Sequence, residues 1–391
     1  MSFRLSGPPV CRYHPHCVNS KPLRSLRAAD VADNRLGGMS RLMHFGADEL
    51  RAAGHTVSFL FREQLALDVP FAIRRFLAPR RAAAWIIQRR HEFDVVEVHE
   101  PLAAPYARAR ARDRSLPPLV VLSHGLEEQG HRATIEYFRQ KGQPLSLKRR
   151  WSPMSIVWQA AFAARHADHM LCSNQDDIEY LVSKGVPRAR LSRHVNGVTD
   201  AFLDLAKPQG DERSGWLFVG SWIERKGILD LVPAMTSLLR RHRDWHFTAA
   251  GIGRDATVVT TAFPDDVQSQ LRVLPDVTSD SALSALFRMH AVFVLPSIYE
   301  GQPLVLFEAA SAEMAIVTTN VCGMKDFIRT GENGRLIPVG DPQALEQALE
   351  ASMPDVATLG PQARADVLSG HTWRHSAARL LEAYRAAISW S

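Results

Sequence analysis

Disulfide-forming residues and long apolar runs are both scarce in this sequence. Only four cysteines occur in 391 residues (Cys11, Cys17, Cys172 and Cys322), and their irregular spacing argues against a disulfide framework. No apolar run approaches the roughly 18 residues that are needed to span a bilayer. The N-terminus also lacks the basic and then apolar pattern of a secretory signal peptide. We therefore expect reduced thiols and a cytoplasmic location.

Metal-ligand patterns are scarce as well. One cluster of suitable side chains lies near the N-terminus and comprises Cys11, His14, His16 and Cys17. Ligands packed so closely along the chain leave little backbone to wrap around a tetrahedral ion. A polar N-terminal segment without bound metal is the simpler interpretation, and we predict no metal site.

Composition and charge indicate a globular protein with an anionic partner. A hydrophobic fraction of 46% and a charged fraction of 23% are typical of globular domains, and 391 residues suffice for two of them. Residues 1–200 hold 30 Lys and Arg against 19 Asp and Glu (net +11), and residues 201–391 hold 17 against 22 (net −5), which sums to +6. The basic half is expected to face a membrane surface, a lipid-linked molecule or an acidic glycan. Nucleic acid is not expected, because no zinc-finger spacing or aromatic RNA-binding signature accompanies the charge.

The first 33 residues show little strand pattern. Only the short run from Phe3 to Leu5 offers a strand candidate, and the rest is rich in proline and polar residues. An α/β domain ordinarily opens with an apolar strand. We therefore describe residues 1–33 as an atypical N-terminal arm in which the first strand is not located, and the regular pattern begins at Asn34.

Apolar runs alternate with helical patterns from residue 34 to residue 200. Gly37 and Gly38 precede a helical pattern that ends at Gly54, although a paired glycine also suits a plain turn. The candidate strands that follow are residues 55–61, 93–100, 118–124, 169–174 and 191–198. This alternation predicts a parallel, doubly wound sheet whose ligands gather at the carboxyl ends of the strands.

Residues 69–91 combine large apolar side chains with arginines. Basic amphipathic segments of this kind can lie on an anionic membrane surface, which would make the protein peripheral to a membrane. The alternative is one or two core-facing helices that are broken at Pro79, with solvated arginines. We favour the core-facing interpretation, because crossover helices always have an apolar face.

A second alternating series occupies residues 201–370. A linker at residues 199–213 precedes it and is marked by Lys207, Pro208, Gly210 and Asp211. Residues 371–391 form a terminal helical pattern, with one apolar face made of Trp373, Ala377, Leu380, Leu381, Tyr384 and Ile388. We predict an N-terminal domain (residues 34–200), a C-terminal domain (residues 201–370) and a C-terminal helix.

The most informative stretch is residues 292–310. A short apolar strand pattern is followed by a loop with Gly301 and Pro303 and then by a helical pattern. Such an arrangement leaves free backbone N–H groups at the carboxyl end of a sheet, which favours an anion such as a diphosphate. Glu300 and Glu308 flank this site. Because carboxylates repel phosphate, these two more naturally accept hydrogen bonds from the hydroxyls of a sugar and a ribose.

The spacing in this stretch resembles a family signature. The pattern Ser-x-x-Glu-Gly-x-Pro-x-x-x-x-Glu-Ala is matched by Ser297, Glu300, Gly301, Pro303, Glu308 and Ala309. It resembles the Glu-x7-Glu signature of the GT-B retaining glycosyltransferases of the family 4 type, also called group 1. The alternative is an ordinary strand, turn and helix with two solvated glutamates.

The resemblance implies an α/β fold of the GT-B class, with two Rossmann-like, doubly wound parallel-sheet domains facing a cleft. It implies transfer of a sugar, with retention of configuration, to a glycan, lipid-linked or small-molecule acceptor held by the N-terminal domain. The donor would be a nucleotide-diphosphate sugar, which is a co-substrate, and no cofactor is expected. The family's C-terminal helix packs back on the N-terminal domain. No Asp-x-Asp motif of the metal-dependent sugar transferases occurs, so no metal is expected in the reaction.

The resemblance also assigns site residues. Glu308 would bind the ribose, Glu300 the hydroxyls of the donor sugar, and Lys226 the diphosphate. His124 matches a histidine that contacts the donor sugar, so His124, Glu300 and Lys226 are the catalytic candidates. The other residues that the resemblance places at the donor are Gly37, Gly38, Gly220, Arg225, Gly251, Gly301, Leu304 and Val305. A solvated lysine and a satisfied loop histidine are the alternatives for Lys226 and His124.

One position departs from the family pattern. Relatives usually carry an arginine directly after the glycine that precedes the lysine, and Ser221 stands there instead. Neutralising a diphosphate requires cationic donors, and Arg225 is the candidate for replacing the missing arginine. The alternative is a catalytically weakened protein that binds a nucleotide-sugar or a partner without turnover.

Two further enzyme classes are compatible with parts of the sequence. Gly251-x-Gly253-x-x-Ala256, with Asp276 downstream, formally fits a dinucleotide fingerprint and would suit a nicotinamide-dependent oxidoreductase. No convincing hydride-transfer residues accompany these glycines. A GT-B phosphorylase or epimerase would share the fold and act on phosphate or on the donor itself.

Overall fold

Two parallel sheets account for the strands that the structure describes. The computed structural model describes residues 21–35, 38–204, 213–277 and 279–390, and within these ranges it contains twelve strands. The cluster from Cys11 to Cys17, Gly37 and the linker residues from Lys207 to Asp211 lie outside the described residues.

The first sheet belongs to the N-terminal domain and has the order β2-β1-β3-β4-β5-β6. Every neighbouring pair in it is parallel. Its strands are β1 (Arg24–Ala28), β2 (Thr56–Leu60), β3 (Val95–His99), β4 (Leu119–Leu122), β5 (His169–Cys172) and β6 (Leu191–Arg193).

The second sheet belongs to the C-terminal domain and has the order β12-β11-β10-β7-β8-β9, again with all pairs parallel. Its strands are β7 (Trp216–Val219), β8 (Phe247–Ala250), β9 (Leu271–Leu274), β10 (Val292–Leu295), β11 (Ala315–Thr319) and β12 (Arg335–Ile337). The predicted architecture of two doubly wound α/β domains is confirmed.

Helices cover the faces of both sheets. Those of the N-terminal domain and the crossover are α1 (Gly38–Ala52), α2 (Arg62–Leu65), α3 (Phe71–Gln88), α4 (Ala104–Arg112), α5 (Glu127–Gln140), α6 (Leu147–Trp151), α7 (Met154–His166), α8 (Gln175–Ser183) and α9 (Asp200–Leu203). Those that follow are α10 (Ile228–Arg241), α11 (Thr257–Thr260), α12 (Asp265–Gln268), α13 (Asp280–Met289), α14 (Leu304–Ser311), α15 (Cys322–Phe327), α16 (Pro342–Ser352), α17 (Val356–Gly370) and α18 (Trp373–Ser389). Among the described residues, no helix combines the length and the apolar character that a membrane span requires.

The first strand lies inside the stretch that we described as an arm. β1 is an inner strand of the first sheet, so the expectation that regular structure begins at Asn34 was wrong. Its sequence, RSLRA, hides the strand because Arg27 points into the protein, where its Nε donates to Glu97 Oε1 at 2.9 Å and its Nη1 to the Met43 carbonyl at 2.8 Å. An arginine is rarely fully buried without such partners, so the local pattern gave no strand signal. The edge strand β9 was also not identified, because its side chains are mostly half-exposed.

Within residues 69–91, the stretch Phe71–Gln88 forms one helix that is not broken at Pro79. α3 continues through Pro79, contrary to the expected break. A proline removes the N–H that would bond to the carbonyl four residues earlier, here that of Arg75. Gln159 Nε2 on α7 donates to this carbonyl at 3.4 Å and partly satisfies it.

The C-terminal helix returns to the N-terminal domain. α18 packs on α1 and on β3, β4 and β5, and its apolar face completes one core of the first sheet with Leu380, Leu381 and Tyr384. The chain thus crosses between domains twice. The two crossings touch where Val198 bridges Thr372, and Gly197 is required there because a Cβ on it would lie 2.3 Å from the Trp373 nitrogen.

Candidate active site

The strand order of the second sheet creates a crevice beside β7 and β10. These strands are neighbours, and the chain leaves β7 toward β8 on one side and leaves β10 toward β11 on the other. In open α/β sheets, ligands bind outside the carboxyl ends of the strands at such a switch point. The loop after β7 carries Gly220, Arg225 and Lys226, and the loop after β10 carries Glu300 and Gly301.

The stretch around β10 has the predicted strand, loop and helix. All four residues of β10 are buried, and α14 begins at Leu304 directly after Pro303. The N–H groups of Leu304 and Val305 belong to the first turn, which has no intrahelical acceptors for them. Together with the helix dipole, they form an anion-binding end at this point of the crevice.

Lys226 and Glu300 meet at this crevice. Lys226 Nζ lies 2.8 Å from Glu300 Oε1, and an Arg225 guanidinium nitrogen lies 3.5 Å from the same oxygen. Burial would raise the pKa of Glu300, but the charges of Lys226 and Arg225 lower it on balance. Glu300 is therefore a carboxylate at neutral pH. Two residues of one loop and one of the other, far apart in sequence, thus form a single charged cluster.

The candidate glycines have two different structural roles. Gly220 and Gly251 have positive φ values of 146° and 64°, which residues with a side chain rarely adopt. Each of these glycines directly follows the end of a strand. Gly301 instead permits close contact between the domains, since a Cβ on it would lie 2.0 Å from the His124 carbonyl oxygen. Gly38 is the first residue of α1 and has open space at its Cβ position.

Glu308 lies one turn into α14 and contacts the other domain. Its Oε1 is 3.3 Å from Arg41 Nη1 of α1, and Arg41 Nη2 donates to Asp280 Oδ2 at 2.9 Å and to Thr199 Oγ1 at 3.2 Å. Glu308 is 2% exposed. Burial raises the pKa of Glu308 to about 7 even though Arg41 opposes the shift. Arg41 was not among the predicted site residues.

His124 belongs to a chain of buried hydrogen-bonding groups. His99 Nδ1 lies 2.8 Å from His124 Nε2, and His99 Nε2 lies 2.9 Å from Glu97 Oε1. Burial lowers the pKa of both histidines, so both rings are neutral at neutral pH. With Glu97 ionised, His99 donates from Nε2 to Glu97 and accepts at Nδ1 from His124. This tautomer leaves His124 Nδ1 as a hydrogen-bond acceptor.

Glu97 and His99 were missed in the sequence. The only signal was their spacing on β3, where residues two apart point to the same face. Glu97 also accepts a hydrogen bond of 2.6 Å from the Tyr384 hydroxyl of α18 and pairs with Arg27 of β1. Two segments that are distant in sequence, β1 and α18, therefore hold the carboxylate that orients the histidine pair.

A cavity of about 460 Å³ opens beside His124. Polar lining groups include Glu127, Thr134, Arg149 and Arg225. Burial raises the pKa of Glu127, with Arg225 opposing the shift. Because Arg225 lines this cavity and also lies 3.5 Å from Glu300, the cavity and the crevice at β7 and β10 are adjacent.

Two further sequence features lie in the loops that follow β7 and β8. Ser221 is exposed just after Gly220, and Arg225 comes to Glu300 from the same loop. Gly251 and Gly253 follow β8 and precede only the four-residue helix α11, whereas a dinucleotide fingerprint requires a strand that leads into a full helix. No group of three or more potential metal ligands occurs in the part of the chain that the structure describes.

Two family models match this chain. Residues 36–202 match the model described as Glycosyltransferase Family 4, and residues 213–355 match the model described as Glycosyl transferases group 1. The chain belongs to the family 4, group 1 glycosyltransferases. Its general activity is therefore glycosyl transfer.

Relatives and solved structures agree with this assignment. Glycogen synthase from Mycobacterium tuberculosis (strain ATCC 25618 / H37Rv) is 26% identical over 398 residues, which cover 90% of this chain and 92% of that protein. A sucrose-phosphate synthase from Thermosynechococcus elongatus has a TM-score of 0.73 at 18% identity and covers 94% of this chain and 100% of its own. Anabaena HepE in complex with UDP-glucose has a TM-score of 0.67 at 15% identity and covers 92% and 98%. The solved structures share the fold of this glycosyltransferase, and the expected GT-B class is confirmed.

Proposed function

We propose that this glycosyltransferase moves a sugar from a nucleoside-diphosphate sugar to a hydroxyl group of a glycan, lipid-linked or small-molecule acceptor. The main support for this proposal is the contact of 2.8 Å between Lys226 Nζ and Glu300 Oε1 beside the start of α14. It sets a cation and a helix N-terminus next to a carboxylate. The cation and helix end suit a diphosphate, and the carboxylate suits the hydroxyls of the attached sugar. The complex of HepE with UDP-glucose supports this donor class.

The donor would lie along the crevice from Glu300 to Glu308. Lys226, Arg225 and the N–H groups of Leu304 and Val305 would hold the diphosphate, with Gly220 and Gly251 keeping the backbone open. Glu308 would accept hydrogen bonds from the ribose. His124 and Glu300 would contact the sugar, and the cavity of about 460 Å³ beside His124 would receive the acceptor.

The chemistry proposed here is stabilisation of the leaving diphosphate. Negative charge grows on the departing phosphate oxygen as the sugar–oxygen bond breaks, and Lys226, Arg225 and the helix dipole meet that charge. The acceptor hydroxyl attacks from the face that the diphosphate leaves, a phosphate oxygen takes its proton, and the configuration is retained. Because protein cations supply the neutralising charge, we expect transfer to persist in EDTA.

The first experiment is calorimetric titration of the purified protein with UDP, GDP and ADP. Lys226→Ala and Glu308→Ala are expected to weaken the binding of one preferred diphosphate, because they remove its cation and its ribose acceptor. Lys184→Ala, an exposed lysine on the other domain, is the matched control. Failure of all three nucleotides to bind would refute the donor site.

Transferase activity needs a separate test, because Ser221 stands where relatives usually carry an arginine. A binding protein without transferase activity would bind the diphosphate but release no product from any donor and acceptor tested. Transfer followed by nuclear magnetic resonance of the anomeric proton would distinguish retention from inversion. A product with inverted configuration would refute the proposed mechanism and leave the donor site intact.

A further inference from the structure

Large apolar side chains are exposed on one side of the N-terminal domain. Fourteen are exposed among the described residues, and eight of these lie in residues 71–77 and 147–158. Leu147, Trp151 and Trp158 are each about 70% exposed. A concentration of this kind marks an interaction surface, since scattered single residues would be the ordinary finding. We call these eight residues the apolar surface: Phe71, Ile73, Phe76, Leu77, Leu147, Trp151, Met154 and Trp158.

The three helices that carry the apolar surface are joined. Arg75 on α3 donates to the Ser152 carbonyl, which directly follows α6, at 2.9 Å. Gln159 on α7 donates to the Arg75 carbonyl at 3.4 Å. Phe76 and Trp158 line the same groove. The exposed side chains therefore belong to one continuous region.

The helices that carry the apolar surface, together with the neighbouring α4, bear charge of a single sign. α3, α4, α6 and α7 contain no Asp or Glu. Arg74, Arg110 and Arg149 on these helices form ion pairs with residues elsewhere. On these four helices, the exposed cations that form no ion pair among the described residues are Arg80, Arg81, Arg108, Arg112, Lys148, Arg150 and Arg165. This combination complements a surface that is uniformly anionic.

A groove of about 300 Å³ lies within this region. Its lining includes the rings of Phe76, Trp158 and Phe162, together with Arg80 and Arg108. An apolar groove beside two arginines suits a lipid, whose chain is apolar and whose headgroup is anionic.

The region also borders the cavity beside His124. Arg149 of α6 and Pro153, which joins α6 to α7, line that cavity. Leu147 and Trp151 of the same short helix belong to the apolar surface. A molecule held at the apolar surface is therefore only one short helix away from His124.

We infer that the apolar surface docks this protein on an anionic lipid bilayer. Tryptophan suits the boundary between headgroups and acyl chains because its ring is apolar and its N–H is polar, and arginines beside it reach the phosphates. A protein interface would be depleted of charge at its centre, whereas here α6 and α7, the helices that carry Trp151 and Trp158, also bear exposed cations that form no ion pair among the described residues. Under the proposed function, this orientation presents the His124 cavity to an acceptor carried by a membrane lipid.

The test is flotation of the purified full-length protein with lipid vesicles. One set of vesicles contains phosphatidylcholine alone, and the other contains equal parts of phosphatidylcholine and phosphatidylglycerol. We expect the protein to float with the anionic vesicles only, and high salt to weaken this binding because the headgroup attraction is screened. Binding to neither set, or equal binding to both, would overturn the inference, and the surface would then be assigned to a protein partner.

Variants separate the apolar and the charged contributions. Trp151→Ser with Trp158→Ser is expected to lower the bound fraction roughly tenfold or more, because two rings lose their burial. Arg80→Gln and Arg81→Gln are each expected to weaken vesicle binding about fivefold. Trp390→Ser and Arg288→Gln are the matched controls, since both residues are exposed elsewhere. Unchanged binding in the double tryptophan variant would overturn the assignment to this surface.

The readout is independent of the donor site. Lys226→Ala should leave vesicle binding unchanged, and the double tryptophan variant should leave nucleotide binding unchanged. Loss of vesicle binding in Lys226→Ala would contradict the placement of the membrane surface on α3, α6 and α7. Failure of one proposal can thus be told apart from failure of the other.

Discussion

Arg41 of the N-terminal domain lies 3.3 Å from Glu308 of the C-terminal domain and links the two across the cleft. Glu308 is the carboxylate that we assign to the donor ribose, so an arginine from the facing domain contacts the donor site itself. Asp280 and Thr199 hold the same guanidinium. One side chain of the N-terminal domain thus contacts the carboxylate that we propose for the ribose.

The first prediction concerns the pH dependence of nucleotide binding. Burial raises the pKa of Glu308 to about 7, so the carboxylate that accepts hydrogen bonds is lost as the pH falls through this value. We expect the Kd of the preferred nucleoside diphosphate to rise about tenfold between about pH 8 and about pH 6. Calorimetry across this range measures it. Glu308→Gln should bind more weakly with a flatter profile, and an equally steep profile in that variant would assign the titration to another group.

The second prediction concerns Arg41. Its positive charge opposes the rise in the pKa of Glu308, so Arg41→Ala should move the midpoint of the binding profile upward by about 1 to 3 pH units. Arg41→Lys should move it less because the charge is kept. Arg35→Ala, which removes an exposed arginine paired with Asp48, should leave it unchanged. Tighter binding in Arg41→Ala with the same midpoint would show that Arg41 competes with the ribose and does not tune Glu308.

The third prediction concerns the contact of Gly301 with the other domain. A Cβ there would lie 2.0 Å from the His124 carbonyl oxygen, which is backbone and cannot rotate away. Gly301→Ala should therefore hold the domains apart and lower kcat about 100-fold, while each domain stays folded. Steady-state kinetics and the radius of gyration from small-angle scattering measure the two effects. Gly370→Ala is the control, because no atom lies within 4 Å of its Cβ position.

The fourth prediction concerns the buried carboxylate of Glu97. Burial alone would raise its pKa, but Arg27, His99 and Tyr384 hold the pKa well below the ordinary value of 4.5. Glu97→Gln leaves the buried Arg27 without a counter-charge and should lower the free energy of unfolding by about 3–5 kcal/mol. Tyr384→Phe removes one hydrogen bond to a charged group and should cost about 1.5–3 kcal/mol. Denaturant unfolding measures both.

The same carboxylate predicts an acid dependence of stability. A depressed pKa contributes stability above the unfolded value and loses it as the pH falls toward the folded value. The wild-type protein should therefore lose stability below about pH 4.5 more steeply than Glu97→Gln. Glu92→Gln changes an exposed glutamate and should alter stability by less than about 0.5 kcal/mol. An equal loss in Glu92→Gln would show that Glu97 is not a special site.

The fold class and the donor loop were readable from local pattern. The apolar run of β10, the break at Gly301 and Pro303, and the spacing of Glu300 and Glu308 all act over a few residues, where sequence and backbone geometry are directly linked. The structure gives the strand, loop and helix where the sequence predicted them. Most other strands were found for the same reason, because they are buried apolar runs.

The elements that were not predicted correctly from the sequence share a different cause. β1 was not found because Arg27 is buried against Glu97 of β3, and such pairing has no local signature. α3 was expected to break at Pro79, but a side chain from α7 reaches the carbonyl that the proline leaves without a donor. In each case a partner from a distant segment reversed the local preference.

The sequence by itself determined the two α/β domains, the glycine loops and the residue types of the donor site, because periodicity, turn chemistry and spacing are local properties of a chain. Only the tertiary structure decided that Lys226 meets Glu300, that Arg41 reaches Glu308 and that His99 orients His124. It also decided that the apolar side chains of α3, α6 and α7 face outward together. These relationships depend on how sheets and helices pack in space, since burial, charge pairing and exposure are fixed only when distant segments come together.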